Sequence, residues 1–214
     1  MDGAQQNKSP PHLRSAAAWI RMPGKHSASF TPCVPSQSRR KFRPSLMKTL
    51  LIMRHAKSSW DQAGQTDHER PLNPRGQRAA PRMGTLLRDE QLVPDQIISS
   101  TACRARETVE ALVSTSGFCG TLQWEDALYL AAPDVYRTFL QQLGSEPQRV
   151  MVVGHNPGLE DLILELTGRH ETMPTAALAQ LTLPIDNWEE LDFLQNADLA
   201  GHWQPRNLSP ESST

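Results

Sequence analysis

Residues 49–56 read TLLIMRHA and place an arginine and a histidine directly after a short apolar run. Unbroken apolar runs of this length are typical of strands that a sheet buries on both faces. Residues 150–155, VMVVGH, repeat the pattern and also end in a histidine. Residues 96–99, QIIS, form a further short strand pattern. The chain therefore carries three candidate strands for the interior of a sheet.

Helical patterns separate these strands. Apolar residues recur at helical spacing in four segments, residues 76–88, 104–113, 135–143 and 159–166. Residues 175–183 are predicted to form a later strand. Strands that alternate with helices of this length indicate a mostly parallel sheet. We therefore predict an α/β fold, a single three-layer domain in which helices flank a mostly parallel central sheet.

The first 46 residues differ in composition from the rest. They hold eight Lys and Arg against one acid, and they are rich in Ser, Pro and Gln. Such a segment buries too little apolar surface to offset the entropy of ordering. We predict a disordered extension or a start codon called too early at 1–46, a domain at 47–208 and a disordered tail at 209–214. An organellar transit peptide is an alternative for the Arg- and Ser-rich leader.

The body of the chain is acidic. From residue 47 onward, fourteen Lys and Arg face twenty-two Asp and Glu, a net charge of −8. This balance disfavours nucleic-acid binding, which needs a basic surface. No apolar run reaches the roughly 18 residues of a membrane span, so no membrane partner is predicted. Cys33, Cys103 and Cys119 are widely spaced without a zinc-type pair, which favours a reducing, cytoplasmic setting and predicts neither metal nor cofactor.

Four basic residues follow the predicted strands. Arg54 and His55 follow the first strand, Arg104 opens the helix after the second, and His155 follows the third. Ligands of open parallel sheets bind beyond the carboxyl ends of the strands, so these side chains are expected to converge. Guanidinium and imidazole groups together stabilise a transferred phosphoryl group without a metal ion. The pattern predicts phosphoryl transfer.

Five motifs carry a resemblance to a known family. Residues 54–61 (RHAKSSWD) resemble the RHG signature of the histidine phosphatase (phosphoglycerate mutase-like) superfamily. Residues 99–108 (SSTACRARET) resemble its second arginine motif, and residues 153–158 (VGHNPG) resemble its second histidine motif. Residues 67–76 (DHERPLNPRG) and 173–177 (MPTAA) are similar to the short SixA-type phosphohistidine phosphatases of bacteria.

The resemblance spans about residues 48–208 and implies roles for the four basic residues. It implies that His55 is the nucleophile and becomes phosphorylated. It also implies that Arg54, Arg104 and His155 hold the phosphoryl oxygens, on a phosphoglycerate mutase-like fold.

Further site residues are predicted from the same resemblance. Ser58 is expected to contact the phosphate and Arg70 to position the entry loop, with a surface ion pair as the alternative for Arg70. Glu125 and Asp126 are the nearest candidates for a general acid, with solvated surface acids as the alternative. A missing acid would favour phosphohistidine, because imidazole has a conjugate-acid pKa near ~6.5 against ~15.7 for water.

The sequence therefore predicts an enzyme of the phosphoric monoester hydrolase type. We expect it to remove phosphate from phosphohistidine in a histidine-containing phosphorelay or phosphotransfer protein. A small-molecule phosphomonoester phosphatase on the same fold and a non-catalytic phosphate-binding scaffold are the alternatives. Attack needs a neutral His55 and phosphate binding favours a protonated His155, so activity is expected to peak near neutral or slightly acidic pH.

Overall fold

The computed structural model describes residues 47–60, 64–193 and 197–208. Within these ranges the strands are β1 (Lys48–Arg54), β2 (Gln96–Ser100), β3 (Thr121–Glu125), β4 (Arg149–Gly154), β5 (Leu178–Leu183) and β6 (Asp198–Trp203). The helices are α1 (Pro74–Asp89), α2 (Cys103–Ser116), α3 (Pro133–Gln141) and α4 (Gly158–Thr167). The extension predicted at 1–46 and the tail predicted at 209–214 lie outside the described residues, so both stay predictions.

The described strands form one six-stranded sheet in the order β3-β2-β4-β1-β5-β6. β2 runs parallel to β3 and to β4, and β4 runs parallel to β1. β5 pairs antiparallel with β1, and β6 pairs antiparallel with β5. The mostly parallel central sheet predicted from the sequence is confirmed, with an antiparallel pair at one side.

Two apolar cores lie on the two faces of the sheet. Leu51 and Met53 of β1 pack in the core that contains α1 and α2, whereas Leu50 and Ile52 pack in the core of α3 and α4. Successive side chains of a strand point to opposite faces, so an unbroken apolar run fills both cores. The three-layer prediction is confirmed. No helix among the described residues combines the length and the apolar character needed to cross a membrane.

The strand predicted at 175–183 begins later than the sequence suggested. β5 starts at Leu178 because Ala176 adopts a left-handed conformation with φ of 62°. The Ala176 N–H donates to the carbonyl oxygens of Arg54 and His55. The residues before β5 therefore form a turn that closes over the end of β1. The helix predicted at 135–143 also differs, since α3 already begins at residue 133 and ends at residue 141.

Candidate active site

The four basic candidates lie where parallel strands end. β1 ends at Arg54 and β4 ends at Gly154, and these two residues are paired in the sheet. His55 and His155 follow directly, so both histidines leave the same edge of the sheet. Arg104 lies in the first turn of α2, just after β2. Because β2 is parallel to β4, it brings Arg104 to that edge as well.

Hydrogen bonds connect the two histidines through Arg104. Its Nε donates to Nε2 of His55 at 3.2 Å, and its Nη2 donates to Nδ1 of His155 at 3.3 Å. The ring centroids of the two histidines are 5.0 Å apart, and all three side chains are buried. Arg54 lines the same cavity. The convergence expected from the strand ends is observed, while the catalytic roles stay predictions.

The remaining contacts of each ring identify its tautomer. Nδ1 of His55 lies 2.7 Å from the carbonyl oxygen of Ala56, so we assign the proton to Nδ1. Nε2 of His55 is then free of hydrogen and accepts from Arg104. In His155 the assignment is reversed, because Nδ1 accepts from Arg104 and Nε2 donates to Oγ of Ser100 at 3.0 Å. His55 therefore presents a lone pair on Nε2, which a nucleophile requires.

The turn after β1 is anchored to α2. The backbone N–H of Ala56 donates to Oγ1 of Thr108 at 2.9 Å, and the Thr108 hydroxyl donates to the carbonyl of Arg104 at 2.6 Å. These bonds join the backbone beside His55 to the helical turn that carries Arg104. The Thr108 hydroxyl thus helps to set the spacing between His55 and Arg104.

Burial keeps both histidines neutral. Burial is the main cause that lowers the pKa of His55 from 6.5 to about 3, and three nearby guanidinium groups act in the same direction. These groups belong to Arg104, Arg54 and Arg70. The pKa of His155 is also lowered to about 3, by burial and then by the neighbouring His55 and Arg104. The expected activity peak assumed a protonated His155 near neutral pH, and the structure corrects this, because neither ring is charged there.

We expect both rings to stay neutral from pH 8 down to pH 5. In protein labelled with ¹⁵N-histidine, NMR should show a protonated Nδ1 in His55 and a protonated Nε2 in His155 across that range, because protonation sets in only near pH 3. The variants His55→Asn and His155→Asn assign the two sets of signals. A midpoint between pH 6 and 7 for either ring would contradict this assignment.

A cavity of about 420 Å³ opens beside these residues. The four basic candidates line it, and so do Ser58 and Arg70, the two residues predicted to bind or position the phosphate. Trp60 and Leu130 lie at its mouth and are 73% and 55% exposed. The cavity thus combines a cationic interior with an apolar rim.

Arg70 holds together the loop that follows β1. Its Nη2 donates to Oγ of Ser58 at 2.7 Å, and its Nε donates to the carbonyl of Ser59 at 2.8 Å. Its Nη1 pairs with Asp67 at 2.6 Å, and its guanidinium stacks on Trp60 at 3.2 Å from the ring centroid. Arg70 is buried, so its pair with Asp67 is not an ion pair on the surface. Its contacts fit the predicted positioning role.

Asp67 is a cavity residue that the sequence did not single out. Its carboxylate accepts from the Tyr129 hydroxyl at 2.7 Å and from Nη2 of Arg104 at 2.9 Å, in addition to Arg70. Nη1 of Arg104 also donates to the Asp67 backbone carbonyl. The hydrogen bond from Tyr129, followed by the two guanidinium groups, holds the pKa of the Asp67 carboxyl well below its usual range. The sequence feature that could have identified Asp67 is its position three residues before Arg70.

Comparison with known proteins assigns the family. Residues 50–128 match the model of the histidine phosphatase superfamily, branch 1. A solved structure of a candidate phosphohistidine phosphatase SixA from Agrobacterium tumefaciens is 30% identical. That match covers 74% of this chain and 98% of the other, with a TM-score of 0.63. This chain belongs to the histidine phosphatase superfamily.

Two further proteins resemble this histidine phosphatase. A candidate phosphohistidine phosphatase SixA from Nakamurella multipartitia is 27% identical, and the match covers 76% of this chain and 99% of the other with a TM-score of 0.67. An uncharacterized chloroplastic protein of Arabidopsis thaliana is 31% identical over 179 residues, which cover 79% of this chain and 81% of the other. The predicted superfamily and phosphoglycerate mutase-like fold are confirmed.

The two carboxylates predicted as a general acid do not line the cavity of this histidine phosphatase. Asp126 Oδ1 accepts from the Thr101 hydroxyl, and Glu125 Oε1 accepts from Nε2 of Gln123 at 2.7 Å. Asp67 is the one carboxylate among the described residues that line the cavity. Across the described ranges, no group of three or more His, Cys, Asp or Glu side chains could hold a metal ion.

Neighbouring groups hold the amide of Asn156 beside the cavity. Its Nδ2 donates to Oε1 of Glu160 at 2.6 Å and to the carbonyl of Met173 at 3.1 Å. The same Met173 carbonyl accepts from Nη1 of Arg54 at 2.8 Å. Asn156 lines the cavity, and its Oδ1 has no hydrogen-bond partner among the described residues. This oxygen is buried, so Asn156 acts here through Nδ2, which links Glu160 to the Met173 carbonyl that also holds Arg54.

Proposed function

We propose that this histidine phosphatase removes phosphate from phosphohistidine in proteins, without a metal ion and through a covalent intermediate on His55. The observation that carries the proposal is the ionised carboxylate of Asp67, the one carboxylate among the described lining residues. An alkyl phosphate needs a proton on its leaving oxygen, which an ionised carboxylate does not supply. A neutral nucleophile without a protonated acid beside it suits a leaving group of low basicity.

In the first step, Nε2 of His55 attacks phosphorus and forms a P–N bond. The P–N bond of the substrate breaks, and its electron pair stays on the substrate nitrogen. The other nitrogen of the substrate ring already carries a proton, so the ring leaves as neutral imidazole. Positive charge develops on His55, and the Ala56 carbonyl that accepts from Nδ1 stabilises it. Arg54 and Arg104 hold the phosphoryl oxygens.

In the second step, water attacks phosphorus and the P–Nε2 bond breaks. The electron pair returns to His55, which regains its neutral form, and the product leaves as dihydrogen phosphate before it equilibrates with solvent. The two steps together consume one water molecule and need no oxidant, reductant or metal.

A series of leaving groups tests this proposal. A phosphohistidine peptide should react at least about 10³-fold faster than an alkyl phosphate of similar size, because general acid catalysis is worth roughly 10²–10⁴ and is missing here. Aryl phosphates with graded phenol pKa values should show a steep dependence on leaving-group basicity. All rates are measured with a chelator present.

Three outcomes would count against the proposal. Equal turnover of an alkyl phosphate, with a flat dependence on the leaving group, would favour the small-molecule phosphatase. Phosphate binding without turnover of any substrate would favour the non-catalytic scaffold. Loss of turnover on addition of chelator would contradict metal independence.

The proposed partner is a phosphorylated phosphotransfer protein. The exposed Trp60 and Leu130 at the cavity mouth support this choice, since exposed aromatic and aliphatic side chains are common anchors of protein interfaces. The names of two structural relatives, both candidate phosphohistidine phosphatases, support it further. A cytoplasmic location belongs to the same proposal.

A further inference from the structure

A groove extends from the catalytic cavity along α1. Two small pockets there have Arg75 and Arg206 in common. The first of these pockets also shares Lys57 and Thr175 with the catalytic cavity. The three surfaces are therefore continuous. We call the part along α1 the arginine groove, and its cationic residues are Lys57, Arg75, Arg78, Arg82 and Arg206.

Four of the five cations of the arginine groove have no side-chain partner among the described residues, whereas the fifth, Arg82, is half-buried and donates to the Leu208 carbonyl at 3.0 Å. No carboxylate is found among the described residues that line its two pockets. The side chains of Lys57, Arg75, Arg78 and Arg206 are exposed and form no hydrogen bond or ion pair within the described ranges. From residue 47 onward the chain has a net charge of −8, yet five of its fourteen Lys and Arg lie here. This concentration indicates an anionic partner.

The cations of the arginine groove form a line. Arg75, Arg78 and Arg82 follow the spacing i, i+3 and i+7, so they share one face of α1. At about 1.5 Å per residue they extend over about 10 Å. Lys57 lies at the end that adjoins the catalytic cavity. The catalytic cavity differs, since its guanidinium groups are held by groups of the domain, Arg54 by the Met173 carbonyl and Arg104 by Asp67.

We propose that the arginine groove binds an acidic segment of the phosphoprotein substrate, next to the phosphohistidine that enters the cavity. This inference rests on the proposed function and adds the chemistry by which the substrate protein is recognised. Separate cations in a line, of which Lys57, Arg75 and Arg78 are exposed, match successive Asp and Glu side chains, whereas a single small anion would occupy only part of the groove. Charge complementarity of this kind accelerates association and selects partners.

Two phosphohistidine peptides test the proposal. In one peptide Asp and Glu flank the phosphohistidine, and in the other Asn and Gln replace them. At low ionic strength the wild type should show a kcat/KM at least about tenfold higher for the acidic peptide, since one exposed charge pair is worth up to roughly fivefold and several act together. The preference should decrease as salt is added.

The variant Arg78→Glu should remove most of this preference. The comparison uses the ratio of the kcat/KM values for the two peptides within each variant, because a general change in turnover cancels in that ratio. Arg169→Glu is the matched control, because Arg169 is also exposed, has no side-chain partner within the described ranges and lies outside the groove. It should keep the wild-type ratio.

Equal kcat/KM values for both peptides in the wild type would overturn the inference and leave the proposed function standing. So would an unchanged preference in Arg78→Glu.

Binding of unphosphorylated fluorescent peptides, measured by anisotropy, decides the case in which no phosphohistidine peptide is turned over. If the acidic peptide then binds the wild type but not Arg78→Glu, the inference that the groove binds an acidic segment is supported even though the proposed function fails. Inhibition by tripolyphosphate without binding of the acidic peptide would show that the groove binds a small polyanion instead of a peptide, and would overturn the inference.

Discussion

His55→Ala is expected to lower the single-turnover rate on a phosphohistidine peptide by at least about 10⁴-fold, the scale seen when an enzyme loses its nucleophile. His55 Nε2 is the neutral, unprotonated nitrogen that faces Arg104. Alanine offers no atom that can take the phosphoryl group. Rapid quenching with a ³²P-labelled peptide measures the loss and also shows whether labelled protein accumulates in the wild type.

The position of the label is predicted as well. Nδ1 of His55 donates to the Ala56 carbonyl, so phosphate should be found on Nε2 in the ³¹P NMR spectrum of trapped protein. Added imidazole should partly restore turnover in His55→Ala, because the small ring fits the space that the side chain leaves. Rescue separates loss of the nucleophile from misfolding. A variant with the wild-type rate, or a label on Nδ1, would show that the mechanism is wrong.

Arg104→Ala is expected to reduce kcat/KM by roughly 10³–10⁵-fold, the range that a phosphate-stabilising arginine supplies. Arg104 donates to both histidines and to Asp67, so its removal affects the nucleophile and the phosphate site together. Arg104→Lys should recover little, because a single ammonium does not reproduce the fork of guanidinium donors.

Arg106→Ala is the matched control for this prediction. Arg106 lies on the same helix two residues later, is exposed and stacks on Trp124. Its kcat/KM should stay within a factor of about two, because Arg106 does not line the catalytic cavity. Thermal unfolding of both variants checks that the fold is retained. Equal losses in Arg104→Ala and Arg106→Ala would indicate a structural rather than a phosphate-binding role for Arg104.

The interior of the fold was predictable from local sequence. β1, β2 and β4 are buried on both faces, and such strands appear as short apolar runs. β3 and β6 were missed, because they are the edge strands of the sheet. Thr121 and Asp198 begin them, and their residues are mostly half-buried or exposed. An edge strand needs no continuous apolar run, so its pattern is weak.

The convergence of four site residues was predictable for a topological reason. His55 and His155 follow parallel neighbouring strands, and the carboxyl ends of such strands meet at one edge. The position of Asp67 was not predictable in this way. Its contacts to Arg104 and Tyr129 span 37 and 62 residues of sequence and depend on how a loop folds back over the site. No local spacing encodes that path.

The sequence by itself determined the α/β class, the strand-end motifs and the residues that could carry phosphoryl transfer, because apolar runs and motif spacing are local properties. The tertiary structure alone decided the charge states and the surfaces. It lowers the pKa of His55 and His155 to about 3, since desolvation arises from packing between segments that are distant in sequence. It also joins Lys57, α1 and Arg206 into one cationic groove, because only folding brings these separate segments side by side.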